Sequence, residues 1–482
     1  MKNLDKFLIQ SDCILNDAFE LLNENGRGIC VVVEEMKIVG ILTDGDIRRF
    51  LLKTNDLGSK VEDVMNKDYL ALHVNSSEEL VRRSFKNGMK IIPLHDDDFR
   101  VVDIADVQNS YKIPVLEPNL EGNELKYIVD CLETNWISSK GKYVKKFEEM
   151  FSSMHNGIYS LSVSSGTTAL HLSLVALGIG DGDEVIIPNV TFAACANAVI
   201  LSGAKPLLCE INPFSWCIDI NEAEKLITEK TKAIMAVHLY GQVCDIESLL
   251  ALCKKKNIFL IEDCAEAIGS SIKERRVGTF GDVATFSFFG NKTISTGEGG
   301  MILFQKKEIQ KKARILRDHG MNTSKRYWHD EIGFNYRLTN MQAALGVAQL
   351  ERFDSILEKK LEIAKLYKKN LKGERNILML PNQYPNVVHS NWLFTIIIDN
   401  RFKRDLLIHE LNNLGIETRP VFYCLNIMPP YINFETSESL LNSLEISTNG
   451  LSLPTSLSLT KEDILYVCNS LKNLLRLENV QN

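Results

Sequence analysis

Apolar and polar positions along the chain fall into two regimes. Over the first hundred residues, short stretches alternate. Residues 15–23 repeat apolar positions at helical spacing, 29–33 and 38–42 are compact apolar runs, and 46–52 returns to helical spacing. A weaker copy follows: a lead-in at 61–65, a helix at 77–87, and strands at 90–94 and 100–104. Two copies of about 50–60 residues predict an internal repeat that packs on itself. Residues 113–118, with prolines at both Pro114 and Pro118, predict a linker strand and a boundary.

Beyond that boundary the units lengthen. Apolar runs at 159–163, 184–187, 206–209, 233–237, 259–262, 284–288 and 301–304 predict strands, with helices such as 168–177, 193–201 and 246–255 between them. Strands alternating with helices predict an α/β fold with a mainly parallel sheet covered on both faces. In such sheets ligands sit at the carboxyl ends of strands. From about Arg352 the chain becomes helix-rich. A small section at 395–399 and 404–415 predicts a smaller C-terminal lobe. The expected domains are therefore 1–110, 111–350 and 351–482.

Composition narrows the choice of partners. A formal net charge of −7 argues against binding nucleic acid or an anionic membrane, which would want a basic surface. The 11 cysteines show no metal-site or redox spacing, so no metal is expected and the thiols read as buried groups in a reducing compartment. With no signal-peptide pattern and no membrane-length apolar run, the expected location is the cytoplasm.

Three segments carry candidate chemistry. Ser164-Ser165-Gly166-Thr167-Thr168 follows a strand and opens a helix. Its small residues and helix N-terminus suit a phosphate, or only a cap. The strand at 259–262 ends in Glu262 and Asp263, with Glu266 beyond. A buried acid there could hold a pyridine nitrogen protonated, or cap the following helix. Ser287 ends another strand, and Lys292 follows in a loop flanked by glycines, where apolar neighbours favour an unprotonated amine. The alternative is a surface lysine.

As a linked set, these segments resemble the DegT-type sugar aminotransferases, which have the type I pyridoxal-phosphate enzyme fold. The resemblance rests on SSGTTALHL, IPNVTFAACANAV, VHLYGQVCD, IEDCAEAIG, GDVATFSFFGNKTISTGEGG and GFNYRLTNMQAALG, and runs from about Pro114 to the C-terminus. It implies that Gly166, Thr167 and Ser287 hold the phosphate of pyridoxal 5′-phosphate, Phe192 stacks on its ring, Asp263 pairs with the ring nitrogen, and Glu266 lies near the ring hydroxyl. It makes Lys292 the Schiff-base lysine. Asn335 would reach the cofactor phosphate of the neighbouring subunit, implying a homodimer with shared active sites.

Within that family, Arg326-Tyr-Trp-His329 and Gly415-Ile-Glu-Thr-Arg419-Pro-Val-Phe-Tyr423 resemble the GDP-perosamine synthases. Cys424 and Asn426 stand where Pro and His are expected, which leaves the sugar open. The implied reaction moves an amino group from L-glutamate to a nucleotide-linked 4-keto-6-deoxy sugar. Trp136, His329, Arg337 and Arg419 are candidates for binding the substrates. The alternatives are another keto sugar nucleotide, such as a UDP-linked one, and a nucleotide-sensing regulator without turnover. The latter is motivated by Gly40-Ile-Leu-Thr43-Asp44-Gly45-Asp46, on which the N-terminal region, a small α+β module, resembles a pair of CBS modules. Thr43 and Asp46 match the positions that hold a nucleotide ribose there, or else they serve a helix cap.

Overall fold

In the computed structural model, residues 4–76, 80–81, 84–85, 90–106, 113–379 and 386–476 are described. The helix expected at 77–87 lies mostly outside them. The chain divides into two compact units, one of residues 1–113 with 413–415 and one of the remainder.

The smaller unit holds two three-stranded sheets built alike. In the first, Leu8–Gln10 runs parallel to Ile29–Glu34, which pairs antiparallel with Lys37–Thr43. In the second, Leu72–His73 runs parallel to Ile91–His95, which pairs antiparallel with Val101–Asp106. The repeat expected from the sequence is thus present as repeated strand pairing. Helices Leu15–Asn25 and Asp44–Thr54 close the first copy over Leu15, Leu22, Val32, Leu42 and Ile47.

The larger unit is built on a seven-stranded sheet. Its order is Tyr159–Val163, Gly300–Phe304, Val283–Ser287, Phe259–Asp263, Thr231–Val237, Glu184–Pro188 and Lys205–Cys209. Only Gly300–Phe304 runs against its neighbours, so the sheet is mainly parallel. Alternate residues feed opposite cores. Ile186, Ile234, Leu260 and Phe286 face one, with helices Lys142–Met154 and Asn340–Glu351. Val185, Ile187, Met235 and Ile261 face another, with Ala194–Leu201. Burial on both faces is why these strands read as unbroken apolar runs.

A second, antiparallel sheet orders Ile377–Met379, Phe394–Ile398, Gly450–Leu453 and Arg419–Pro420. The stretch 113–118 is not the linker strand expected. The Val115 N–H donates to the Glu417 carboxylate (3.1 Å), and its carbonyl accepts from the Thr455 N–H (2.7 Å). Pro114 and Pro118 have no N–H to offer a ladder. Among the described residues no helix is long and apolar enough to cross a membrane.

Candidate active site

Five strands of the large sheet end at one cavity of about 420 Å³. Tyr159–Val163 leads to Ser165, Gly166 and Thr167; Glu184–Pro188 to Thr191 and Phe192; Thr231–Val237 to Tyr240. Phe259–Asp263 delivers Asp263 and Glu266, and Val283–Ser287 delivers Ser287 and Lys292. Arg419 of the antiparallel sheet, with Trp392 and Phe422 just beyond its strands, adds to the lining.

Helix Gly166–Leu177 opens on a reciprocal cap: the Ser165 hydroxyl accepts from the Thr168 N–H, and the Thr168 hydroxyl from the Ser165 N–H. The N–H groups of the first turn have no partner within the helix and point toward any guest at its end. A Cβ at Gly166 would lie 2.8 Å from the Ser287 Cβ, so only glycine lets the helix start this close to Ser287.

Asp263 is buried. Its Oδ1 accepts from the Ala265 N–H (3.0 Å) and its Oδ2 from the Cys195 thiol (3.2 Å). Burial, reinforced by the Asp263 charge, pushes the Cys195 thiol well up, so it stays a donor. Glu266 Oε1 lies 3.3 Å from Lys292 Nζ, and Oε2 accepts from the Tyr240 N–H at 2.9 Å. Burial raises the Glu266 carboxyl above its ordinary range, against the pull of Lys292. Tyr240 has φ 55°, uncommon for an aromatic residue, and this turn aims its N–H at Glu266. Lys292 Nζ also sits 3.9 Å from the centre of the Trp392 ring.

These residues fit pyridoxal 5′-phosphate. An amine, a buried carboxylate, a helix N-terminus with Ser287 beside it and a half-exposed aromatic, Phe192, border a single cavity.

Of the residues anticipated from sequence, Gly166, Thr167, Phe192, Asp263, Glu266, Ser287, Lys292 and Arg419 line the cavity. Arg419 also pairs with Glu417 at 3.3 Å. Asn335, His329, Arg337 and Trp136 do not line it. Asn335 Oδ1 accepts from Arg337 Nε (3.2 Å), Arg337 is ion-paired to Asp318 (2.6 Å), and His329 Nδ1 meets the His319 carbonyl (2.9 Å). Trp136 is half exposed. Cys424 and Asn426 lie outside the lining as well, and Asn426 exchanges hydrogen bonds with Asn189. Sequence reasoning missed Tyr240, Trp392 and Phe422. Tyr240-Gly241 in VHLYGQ was the available signal for the first and the segment Gly415–Tyr423 for Phe422; Trp392 had none.

His238, Glu262 and Cys264 approach one another as metal ligands would. Glu262, however, already accepts from His238 Nε2 and from the N–H groups of Gly278, Phe280 and Gly281. Burial alone would raise its carboxyl, but His238 and the N–H groups of Gly281 and Gly278 outweigh it and hold it low. The carboxylate is a structural anchor beneath Asp263.

In the smaller unit, Thr43 caps helix Asp44–Thr54 in a box with Asp46, whose other oxygen pairs with Arg49. A separate cleft of about 740 Å³ is lined by Thr43 and Asp44 with Arg27, Gly28, Tyr69 and Lys90, but not by Asp46.

Comparison with known proteins agrees with this geometry. The model of the DegT/DnrJ/EryC1/StrS aminotransferase family matches residues 118–472, and a CBS domain model matches residues 5–53. A GDP-perosamine synthase from Vibrio cholerae is 45% identical over 363 residues, 75% of this chain and 98% of that protein. Its counterpart from Escherichia coli O157:H7 is 44% identical over 359 residues, 74% of this chain and 97% of that protein. A putative sugar aminotransferase from Streptococcus pneumoniae, solved in its PLP form, superposes with a TM-score of 0.73 at 28% identity, covering 77% of this chain and 100% of that one.

Proposed function

The chain belongs to the DegT/DnrJ/EryC1/StrS aminotransferase family and is a pyridoxal-phosphate-dependent nucleotide-sugar aminotransferase, and we propose that it moves the amino group of L-glutamate onto the keto carbon of a GDP-linked 4-keto-6-deoxy sugar. The carrying observation is that the Lys292 amine and the Asp263 carboxylate border the same cavity. Identity of 44–45% to GDP-perosamine synthases supports the sugar, as does the position of Cys424 and Asn426 outside the lining.

Gly166, Thr167 and Ser287 would hold the cofactor phosphate, Phe192 and Asp263 its ring, and Lys292 its reactive carbon. When bound, the cofactor supplies an electron sink for the carbon that loses or gains the amino group. Asp263 would keep the ring-nitrogen proton in place, helped by Cys195, which orients Oδ2. Lys292 is the base that takes a proton from the donor carbon and the acid that returns it. Glu266 stays beside that amine and would lie near the ring hydroxyl. Arg419 offers a fork for a carboxylate or phosphate, and Phe192, Tyr240 and Phe422 give the cavity aromatic walls.

The purified full chain, given the cofactor, L-glutamate and a panel of GDP-, UDP- and dTDP-linked 4-keto-6-deoxy sugars, tests this. Mass spectrometry should show the GDP-linked sugar aminated fastest, with one 2-oxoglutarate formed per amino sugar. A UDP-linked sugar turning over faster sinks the choice of acceptor.

The working form is a homodimer in which Asn335 serves the neighbouring cavity. Its absence from the lining of its own chain's cavity supports this, as do the exposed Tyr327, Trp328 and Ile332 nearby. Sedimentation should give a dimer; a fully active monomer contradicts it. The cytoplasm suits the 11 free thiols. The smaller unit would take a nucleotide effector at Thr43, supported by the cleft that Thr43 lines, while Asp46, bonded to Thr43 and Arg49, stands outside that lining. Turnover unchanged across an adenine-nucleotide titration removes that role.

A further inference from the structure

We propose that Lys360 is a positioning residue that acts through Trp392 to set the surroundings of the Lys292 amine. The inference rests on Lys292 being the cofactor-binding lysine.

Lys360 lies on helix Phe353–Leu371 and is 2% exposed, on a face otherwise made by Ile356, Ile363 and Ala364. A lysine in such a place must find partners for its N–H groups. Nζ meets three acceptors: the Thr455 carbonyl at 2.8 Å, the Trp392 carbonyl at 3.1 Å and the Thr455 hydroxyl at 3.2 Å. That hydroxyl donates to the Trp392 carbonyl (2.8 Å), so its lone pairs are what the amine meets. Three donors and three acceptors make a complete clasp, and no carboxylate takes part. Burial without a counter-charge draws Lys360 down to about 7.

The clasp grips the backbone of Trp392, and a second bond fixes the ring. The indole N–H donates to the carbonyl of Asn291, the residue before Lys292, at 2.6 Å. The ring is thus tied at one end to Lys360 and at the other to the chain that carries Lys292. Its face lies 3.9 Å from Lys292 Nζ, where an aromatic face favours a charged nitrogen. Lys360 does not line the active-site cavity, so it touches neither cofactor nor substrate. It does border, with Lys292, a void of about 10 Å³ behind that amine, room for about one water.

The test uses full-length wild type, K360M, W392L, the K360M/W392L double variant and T455V, each stripped of cofactor. The rate at which added pyridoxal 5′-phosphate is captured is followed by absorbance across pH. Borohydride reduction and peptide mapping then identify the modified lysine. Wild type should capture at Lys292. In W392L the pH of half-maximal capture should fall by about half to one unit, the size of a lost aromatic–cation contact. K360M should move it in the same direction, and the double variant no further than W392L alone. T455V, which removes one acceptor, should give a smaller shift of the same sign, and it serves where K360M does not fold. A midpoint that stays at wild type in K360M and T455V while their melting temperatures fall overturns the proposal, as do additive shifts in the double variant. Capture by another lysine in wild type overturns the reading of Lys292 itself, and this inference with it.

Discussion

Two helices in this protein begin with the same device and face different chemistry. Thr43 with Asp46, and Ser165 with Thr168, are both reciprocal capping boxes, and each helix end borders a cleft. At Thr43 the first turn carries two acids, Asp44 and Asp46, already paired with Arg48 and Arg49. The positive end of that helix is answered from within. At Ser165 the first turn is Gly166, Thr167 and Thr168, without charge, and other strands bring Ser287, Lys292 and Asp263 to the same cavity. A cap motif alone therefore does not announce a phosphate site. What decides is whether the helix end is left unanswered and which residues distant in sequence converge on it.

The largest effect that would test this contrast is at Lys292. Lys292→Ala should lower amino transfer by more than about a thousandfold, since the amine is both attachment point and proton carrier. It should also remove the absorbance of the bound cofactor. A variant that keeps wild-type turnover would leave the large cavity no better qualified than the small unit's cleft. The next effect concerns stability in acid. In the large unit burial pulls His155 down to about 4, with its Nδ1 bonded to the Phe151 carbonyl (2.9 Å), and burial holds His389 at about 3. Both folded values lie below that of a free histidine, so the unfolded chain binds more protons between them. Stability is full above pH 6.5 and is lost as pH falls toward 4, by roughly 3 kcal/mol from His155 alone. All four tryptophans belong to the large unit, so denaturant melts followed by their fluorescence report on it. Melts of equal midpoint at pH 7 and pH 4.5 would contradict the sign.

The same contrast explains what could be read in the sequence. The central strands were legible because burial on both faces writes continuous apolar runs, as at Phe259–Asp263 and Val283–Ser287. Asp263 was legible because it ends such a strand and Lys292 because it follows one, where the fold puts ligands. The segment 113–118 was misread because apolar residues between prolines suggest a strand. Its bonds go instead to Glu417 and Thr455, some 300 residues away. Lys360 was invisible for a similar reason: a lysine on an amphipathic helix is ordinarily solvated, and its acceptors come from residues 392 and 455. Arg337 and Arg419 looked alike in the chain, yet only Arg419 lines the cavity.

The smallest effects are at two glycines, one in the first turn of each capped helix. At Gly166 a Cβ would meet the Ser287 Cβ at 2.8 Å, with Ser287 Oγ at 3.1 Å and backbone behind it. Gly166→Ala should push helix and strand end apart where the cofactor phosphate is to be held, and weaken cofactor retention by about tenfold, roughly 1.4 kcal/mol. Equilibrium dialysis of the cofactor would measure it. At Gly45 the nearest atom to a new Cβ is the Arg49 Nη1 at 3.4 Å, the far end of a flexible side chain, and the backbone is already helical. Gly45→Ala therefore meets no obstacle and removes freedom from the unfolded chain. It should stabilise the smaller unit by about 0.5–1 kcal/mol in a thermal melt. Lost cofactor retention at Gly166 beside gained stability at Gly45 would separate a helix end kept clear for a phosphate from one whose charge is answered within its own first turn. If both variants gained stability and Gly166→Ala kept its cofactor, close approach to Ser287 would not be what the large cavity requires.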